Sequence, residues 1–365
     1  MRSNCRVFLH VASAVLTSLV ATTPAHTAQG VTDWLNANDF LPPNQIQKAI
    51  NALPENTGAG GGGVVYVPAG LWYQTRPITL PKNKTVHLLG AGQEVTNLLW
   101  TQPDFADSDY VLVRGSNQVI ENLSILGTNV SGNARGIVVL PDNQVISGVE
   151  LRRVAIYQTP SWCLEIVGGT SYVSIQSSVQ SCRFNVNKRD GLVKVGKHNV
   201  AWSFRDCNFG STVVGTLFEV DEAVNINAFS SGFQTIPDAT QPHVRFKDAV
   251  SSGLAQCYFE MEGTSTQPFV KITGKYNLGI TVADCYFTRA ISDVGKIVEV
   301  AADDTVYSLV VINPVLNIPS SSGNTNDLSF GHSSSTANVI GGVLFDNITG
   351  VVKVPRSHLT NGRLS

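Results

Sequence analysis

The chain is poor in charge. Only 14% of its residues are Asp, Glu, Lys or Arg, and the net charge is −2. Lys and Arg never cluster into a run, which argues against nucleic acid as a partner, because phosphate binding rests on concentrated cations. Long apolar runs are missing beyond the N-terminus, so no later segment is expected to span a bilayer. Of the six cysteines none sits in a CxxC pair or a His/Cys cluster with zinc spacing. The glycine-rich segments GAGGGGVV (58–65) and GAGQEV (90–95) lack the Lys-Ser/Thr of a phosphate loop. GAGQEV also lacks the full dinucleotide spacing and a βαβ setting.

What the chain does have is a short pattern that keeps returning. An apolar residue, an outward residue and a second apolar residue recur in YVLVRG (110–115), GIVVLP (136–141), CLEIVG (163–168), LVKVGK (192–197) and LFEVDE (217–222). The pattern continues in HVRFKD (243–248), FVKITG (269–274), IVEVAA (297–302), DLSFGH (327–332) and VVKVP (351–355). The middle residues are Leu112, Val138, Glu165, Lys194, Glu219, Arg245, Lys271, Glu299, Ser329 and Lys353, at steps of 24 to 30 residues. A period of that size built on two-residue alternation predicts a solenoid of about ten β-coils.

A second strand follows in each period. Its inward series is Ile125, Ile156, Phe184, Phe209, Phe233, Phe259, Phe287, Leu316 and Leu344. Two positions earlier stand Leu123, Val154, Cys182, Cys207, Ser231, Cys257 and Cys285. Residues one period apart then stack in columns, with strands about 4.8 Å apart. The expected fold is all-β, a right-handed parallel β-helix, given the chirality of parallel connections. A sandwich or barrel explains the strands but not the constant period.

The N-terminus has the features of an export signal: Arg2 and Arg6, an apolar stretch from Val7 to Ala21, and cleavage expected after Ala25 or Ala28. Residues 1–28 are therefore read as a signal peptide and 29–365 as one β-helix domain, exported to a secreted, periplasmic or extracellular location, with no membrane contact after signal removal. Five cysteines remain, and Cys182/Cys207 and Cys257/Cys285 occupy equivalent places in adjacent coils. Side chains stacked in parallel hold their Cβ atoms too far apart for a good disulfide, so free, buried thiols are expected. Asn83, Asn122, Asn129 and Asn347 lie in N-x-S/T sequons.

Residues 45–53 (QIQKAINAL) carry Ile46, Ala49, Ile50 and Leu53 at helical spacing, and an amphipathic helix there would cap the open coil end. The order Q-x-A-I, GGGVVYVPAG, PITLP, TVHLLGAG over residues 45–100 resembles the N-terminal part of the pectate-lyase superfamily. That group of right-handed β-helices includes polysaccharide lyases, polygalacturonase-like hydrolases and phage tailspikes. The resemblance implies a β-helix that acts on a polysaccharide by β-elimination or hydrolysis. The superfamily's usual acidic, threonine-containing segment before the helix is matched here only approximately, by Thr32-Asp33 and Asn38-Asp39. The Asn-Thr-Asp, paired Asp, His-Gly and Arg-Ile-Lys set of polygalacturonases is absent, as is the acidic calcium cluster of pectate lyases. Acidic turns such as Asp221-Glu222 and Asp303-Asp304 are places where calcium could sit, but no spacing compels it. No other cofactor is evident.

Two outward faces follow from the columns. The marker face alternates in charge, as a register-fixing ladder does. A sharper reading makes Arg245 and Lys271 a basic strip for an acidic sugar. The face beside the Cys-x-Phe column offers Arg183, Asn208, Gln234, Gln256, Tyr258 and Tyr286 as glycan-binding candidates, with the two tyrosines equivalent in adjacent coils. Its acids Asp206, Glu260 and Asp284 are the candidates for catalysis, although no two of them fall at the separation that a glycosidase pair needs. Arg183 and the tyrosines suit a lyase by residue type. The alternative to an enzyme is a non-catalytic glycan-binding or surface-interaction protein on the same scaffold, and the missing acid pair favours it. The export signature argues against a tailspike-like phage subunit. No feature of the sequence specifies an oligomeric state.

Overall fold

The alternation becomes structure one coil at a time. In Leu164–Ile166 the two apolar side chains are buried and Glu165 faces out. The strand pairs in parallel with Ile137–Val139 and with Val193–Val195, placing Glu165 between Val138 and Lys194. Ten such strands form one sheet. The computed structural model describes residues 33–317 apart from 57–60, 101–107, 128–131, 143, 171–173, 186–189, 211–214, 236–239, 263–266, 290–296 and 301–303, and beyond them the backbone of six short strands from 328–329 to 363–364. Residues 1–28, Asn129, Asp303 and Asn347 lie outside the described residues.

Both expected columns hold. The inward series runs in unbroken register from Ile125 through Phe184, Phe209, Phe233, Phe259 and Phe287 to Leu316 and Leu344. The marker series runs from Leu112 to Ser329. It starts one copy earlier than expected, because Thr79 in Ile78–Leu80 pairs with Leu112. Lys353 does not belong to it. Val352–Lys353 pairs antiparallel with Leu344–Phe345, so the chain folds back on the solenoid instead of adding a coil.

Each coil carries a third strand segment that the two-strand reading left out. One coil runs Gly191–Val195, a corner at His198, Asn199–Arg205, a corner at Asp206, then Asn208–Gly210. The corner column Asn122, Arg153, Ser181, Asp206, Ser230, Gln256, Asp284 and Asn313 has φ between 43° and 58°. That left-handed conformation is uncommon for residues with a side chain, and Asn and Asp adopt it most readily. From Ser181 to Asp284 the corner's backbone N–H is satisfied by the next coil: Asp206 donates to Phe229 O, Gln256 to Ala283 O and Asp284 to Ile312 O, at 2.8–3.1 Å.

The capping helix is Gln45–Ala52, with Ile46, Ala49 and Ile50 buried. It does more than cover the core. Gln47 Oε1 accepts from Thr79 N at 2.7 Å and its amide donates to Thr79 O at 3.3 Å. The side chain therefore satisfies the edge of the first strand of the ten-stranded sheet, which would otherwise offer unpaired backbone. Trp34–Asn36 pairs with Val64–Tyr66 and closes the larger sheet at the same end.

All five cysteines outside the N-terminal segment are buried free thiols. Burial pushes the Cys163 thiol up to about 12. The Cys285 thiol donates a hydrogen bond to its stacked neighbour Cys257, and that bond together with burial pushes Cys285 up, while the same bond lowers Cys257. All five are at most 3% exposed, so in the folded protein these thiols should show no fast reaction with Ellman's reagent at pH 8, and all five should become reactive on denaturation. Rapid labelling of the native protein would contradict this packing.

Candidate functional site

The face beside the Phe column is built by Arg183–Asn185, Asn208–Gly210, Gly232–Thr235, Tyr258–Met261 and Tyr286–Arg289. Parallel register sets its two outward columns. One reads Arg183, Asn208, Gly232, Tyr258, Tyr286, and the other Asn185, Gly210, Gln234, Glu260, Thr288. Phe184, Phe209, Phe233, Phe259 and Phe287 lie between them and point inward, all fully buried. Strand alternation thus fixes which side chains face outward.

Tyr258 and Tyr286 stack with centroids 5.6 Å apart and planes 10° apart. Tyr258 remains 37% exposed. Its hydroxyl donates to Glu260 Oε2 at 3.1 Å, and Gln234 Nε2 donates to the same oxygen at 2.9 Å. Burial and the bonded Glu260 carboxylate push the Tyr258 phenol up to about 12. At neutral pH it is a donor and a stacking surface. A general base works best with a pKa near the operating pH, and this phenol is far from it. Arg183 is held at the end of the face, where its guanidinium meets Glu94 Oε1 at 2.7 Å and the Tyr157 hydroxyl donates to the same oxygen at 3.1 Å.

The structure separates the remaining candidates from this cluster. Asp206, Gln256 and Asp284 are corner residues, on the far side of the buried Cys from the tyrosines. Asp284 Oδ1 accepts from Asn313 Nδ2 at 3.0 Å, and Gln256 Oε1 accepts from Ser230 at 3.5 Å. They form a polar ladder between coils. Of the three candidate acids only Glu260 stands on the strand face.

On the marker face every charge has a partner. Arg135 grips Asp109 through two bonds of 2.7 Å and Glu165 through one of 2.5 Å. Arg245 meets Glu219 at 3.0 Å, and Lys271 meets Glu299 at 3.7 Å. A shallow depression of about 310 Å³ lies between Glu165, Lys194, Lys197 and Asp221, floored by Gly168, Gly169 and Gly196. Its charges are engaged as well, Lys197 with Glu222 at 2.7 Å and Asp221 with Lys247 at 2.9 Å. Exposed pairs of this kind contribute about 0–1 kcal/mol each. Arg245→Ala with Lys271→Ala should therefore change stability by no more than about 2 kcal/mol and leave glycan affinity unchanged in a binding titration. A loss of affinity in that variant would transfer the binding face to this sheet.

Two groups escaped the sequence reading. Glu94 lies in a turn outside the repeat and meets Arg183 only because Thr96–Trp100 and Arg183–Asn185 belong to the same face. His87 Nε2 lies 3.0 Å from Glu121 Oε2, and Arg153 pairs with the other oxygen of Glu121. Burial lowers the His87 pKa against the pull of Glu121, so the ring is neutral at neutral pH. In register His87 faces Val119, while Glu121 faces Leu89. The contact is diagonal, at a sequence separation outside the repeat period, so column reading does not find it. Among the described residues no three His, Cys, Asp or Glu side chains converge as metal ligands would.

No protein-family model matches the chain, and no curated protein sequence does. Solved structures match its fold. Tailspike protein 2 of Escherichia coli O157:H7 bacteriophage CAB120 superposes with a TM-score of 0.60 at 12% identity, over 84% of this chain and 42% of that one. Tailspike gp49 from Acinetobacter baumannii bacteriophage Fri1, described as a capsular polysaccharide depolymerase, gives 0.54 at 15% identity over 85% and 59%. The ORF18 protein of Geobacillus virus E2 gives 0.52 at 16% identity over 90% and 64%. The chain spans less than two thirds of the length of each. The fold is a right-handed parallel β-helix.

Proposed function

We propose that this protein is an exported, carbohydrate-active β-helix that holds a polysaccharide against the face of Tyr258 and Tyr286. The observation that carries the reading is the in-register tyrosine pair beside a carboxylate fixed by Gln234. Sugars lay their C–H faces on aromatic rings and give their hydroxyls to nearby carboxylates and amides. Asn208 and Arg183 extend the polar part of the face along the coil axis. Export rests on the N-terminal signature, residues 1–28, with residues 29–365 as the exported domain. Among the described residues no helix is long and apolar enough to cross a membrane.

Recognition is better supported than cleavage. A glycosidase needs two carboxylates about 5–10 Å apart across the scissile bond, and Glu260 stands on the face while Asp206 and Asp284 sit at the corners. Cleavage is the second reading, favoured by the fold shared with a tailspike described as a polysaccharide depolymerase. Incubation of the secreted protein with acidic and neutral polysaccharides separates the two. Binding without new reducing ends supports recognition alone. New reducing ends with absorbance from an unsaturated product mean a lyase, and reducing ends alone mean a hydrolase. Failure to bind any polymer would overturn the proposal.

A further inference from the structure

The tyrosine column has one position without a side chain. Gly232 stands in register between Asn208 and Tyr258. At several other positions in the stack glycine is required by a close neighbour, although not at Gly210 of the same face, where a Cβ would lie 3.3 Å from Asn208 Oδ1. A Cβ on Gly90 would lie 2.1 Å from Asn122 O, on Gly127 2.6 Å from the Tyr110 hydroxyl, and on Gly191 2.4 Å from the Trp162 ring. A Cβ on Gly232 would meet a single described atom within 4 Å, Asn208 Nδ2 at 3.6 Å, and its φ is outside the left-handed region. Neither packing nor backbone geometry demands glycine here. A glycine inside a strand weakens it, and a frequent reason for keeping one is the close approach of a ligand.

Among the described residues, the missing side chain uncovers one side of the Tyr258 ring, opposite the side stacked on Tyr286. In-register rings on these strands sit 4.7 Å apart for Phe233–Phe259 and 5.6 Å apart for Tyr258–Tyr286. The place over Gly232 is therefore one ring thick. Its rim carries the Asn208 amide, Gln234 and Glu260. Both bonds that orient Glu260 fall on Oε2, and among the described residues Oε1 accepts none.

We infer that Gly232 is the floor of a subsite for one uncharged pyranose ring of the glycan. Tyr258 is its stacking wall, and Glu260, oriented by Gln234, accepts hydrogen bonds from the sugar hydroxyls. This rests on the reading that the Tyr258 face binds glycan. The preference for an uncharged sugar comes from charge. A uronate in this position meets the Glu260 carboxylate, and the cation of the same column, Arg183, is two coils from Gly232 and engaged with Glu94 at 2.7 Å. An unpaired like charge is an effective way to reject the wrong ligand.

The test uses the mature protein in affinity electrophoresis against neutral polymers (dextran, galactomannan, mixed-linkage β-glucan) and acidic ones (alginate, polygalacturonate). At least one neutral polymer should bind, and the acidic ones should bind more weakly. Gly232→Leu fills the subsite from an outward position and should weaken neutral binding about tenfold with an unchanged melting temperature, since one ring contact of this kind is about a factor of ten. Gly232→Ala should show a smaller loss. Glu260→Gln should weaken neutral binding and strengthen acidic binding, which a purely structural role for Glu260 would not produce. Binding of acidic polymers alone, indifferent to Gly232→Leu, overturns the subsite. If Tyr258→Ala with Tyr286→Ala abolishes that acidic binding, the glycan face stands and only the subsite falls. If the tyrosines are also without effect, or no polymer binds, both fall.

Discussion

Phe233→Ala should cost about 3–5 kcal/mol of stability, the usual range for removing a buried phenylalanine. Phe233 is fully buried and lies between Phe209, at 4.6 Å and 2°, and Phe259, at 4.7 Å and 8°. Phe218 approaches from the opposite strand at 6.4 Å. Truncation removes the apolar burial, breaks two stacks worth about 0.5–1.5 kcal/mol each, and leaves a cavity in the middle of a continuous column. The neighbouring coils cannot collapse into it, because parallel register fixes their separation. Urea unfolding of the purified protein measures the loss. A change below about 1 kcal/mol would mean that the column is not the main support of the coils. Gly232, one residue earlier, makes the comparison sharp. It faces outward, so Gly232→Leu belongs with the near-neutral surface changes.

Tyr258→Ala with Tyr286→Ala should weaken glycan binding about ten- to a hundredfold and leave the fold intact. Two rings at about 0.5–1.5 kcal/mol each account for that range. The rings are part of the outer surface and the Phe column beneath them is untouched, so far-ultraviolet circular dichroism should not change. The single variants should differ. Tyr258 has the ring face toward Gly232 and orients Glu260, whereas Tyr286 supports it from behind. Tyr258→Ala should account for most of the loss. Unchanged affinity in the double variant would remove this face as the glycan surface.

The same contrast between columns and corners explains what could be read early. Residues one period apart become neighbours because each coil returns to its own start, so the Phe column and the Glu165–Lys194–Glu219 ladder were legible as spacing alone. Lys353 kept the spacing and the pattern and still left the sheet, because its strand turns back antiparallel on Leu344–Phe345. A three-residue alternation carries no direction, and only pairing supplies it. The strand Asn199–Arg205 stayed hidden because the left-handed Ala201 interrupts its alternation.

The candidate site divides along the same line. By itself the sequence determined the solenoid, its inward residues, the capping helix, and the adjacency of Tyr258 and Tyr286, since all of these follow from period and polarity. Tertiary structure alone decided where each outward residue lies around the coil. The left-handed backbone at Asp206, Gln256 and Asp284 turns them onto a corner, away from Glu260 and the tyrosines. It also decided that Arg245 and Lys271 spend their charges on Glu219 and Glu299, and that among the described residues only the Asn208 amide comes near the place over Gly232 beside Tyr258. The physical reason is that period fixes position along the axis, while the angle about the axis depends on a few backbone torsions that residue type only weakly constrains.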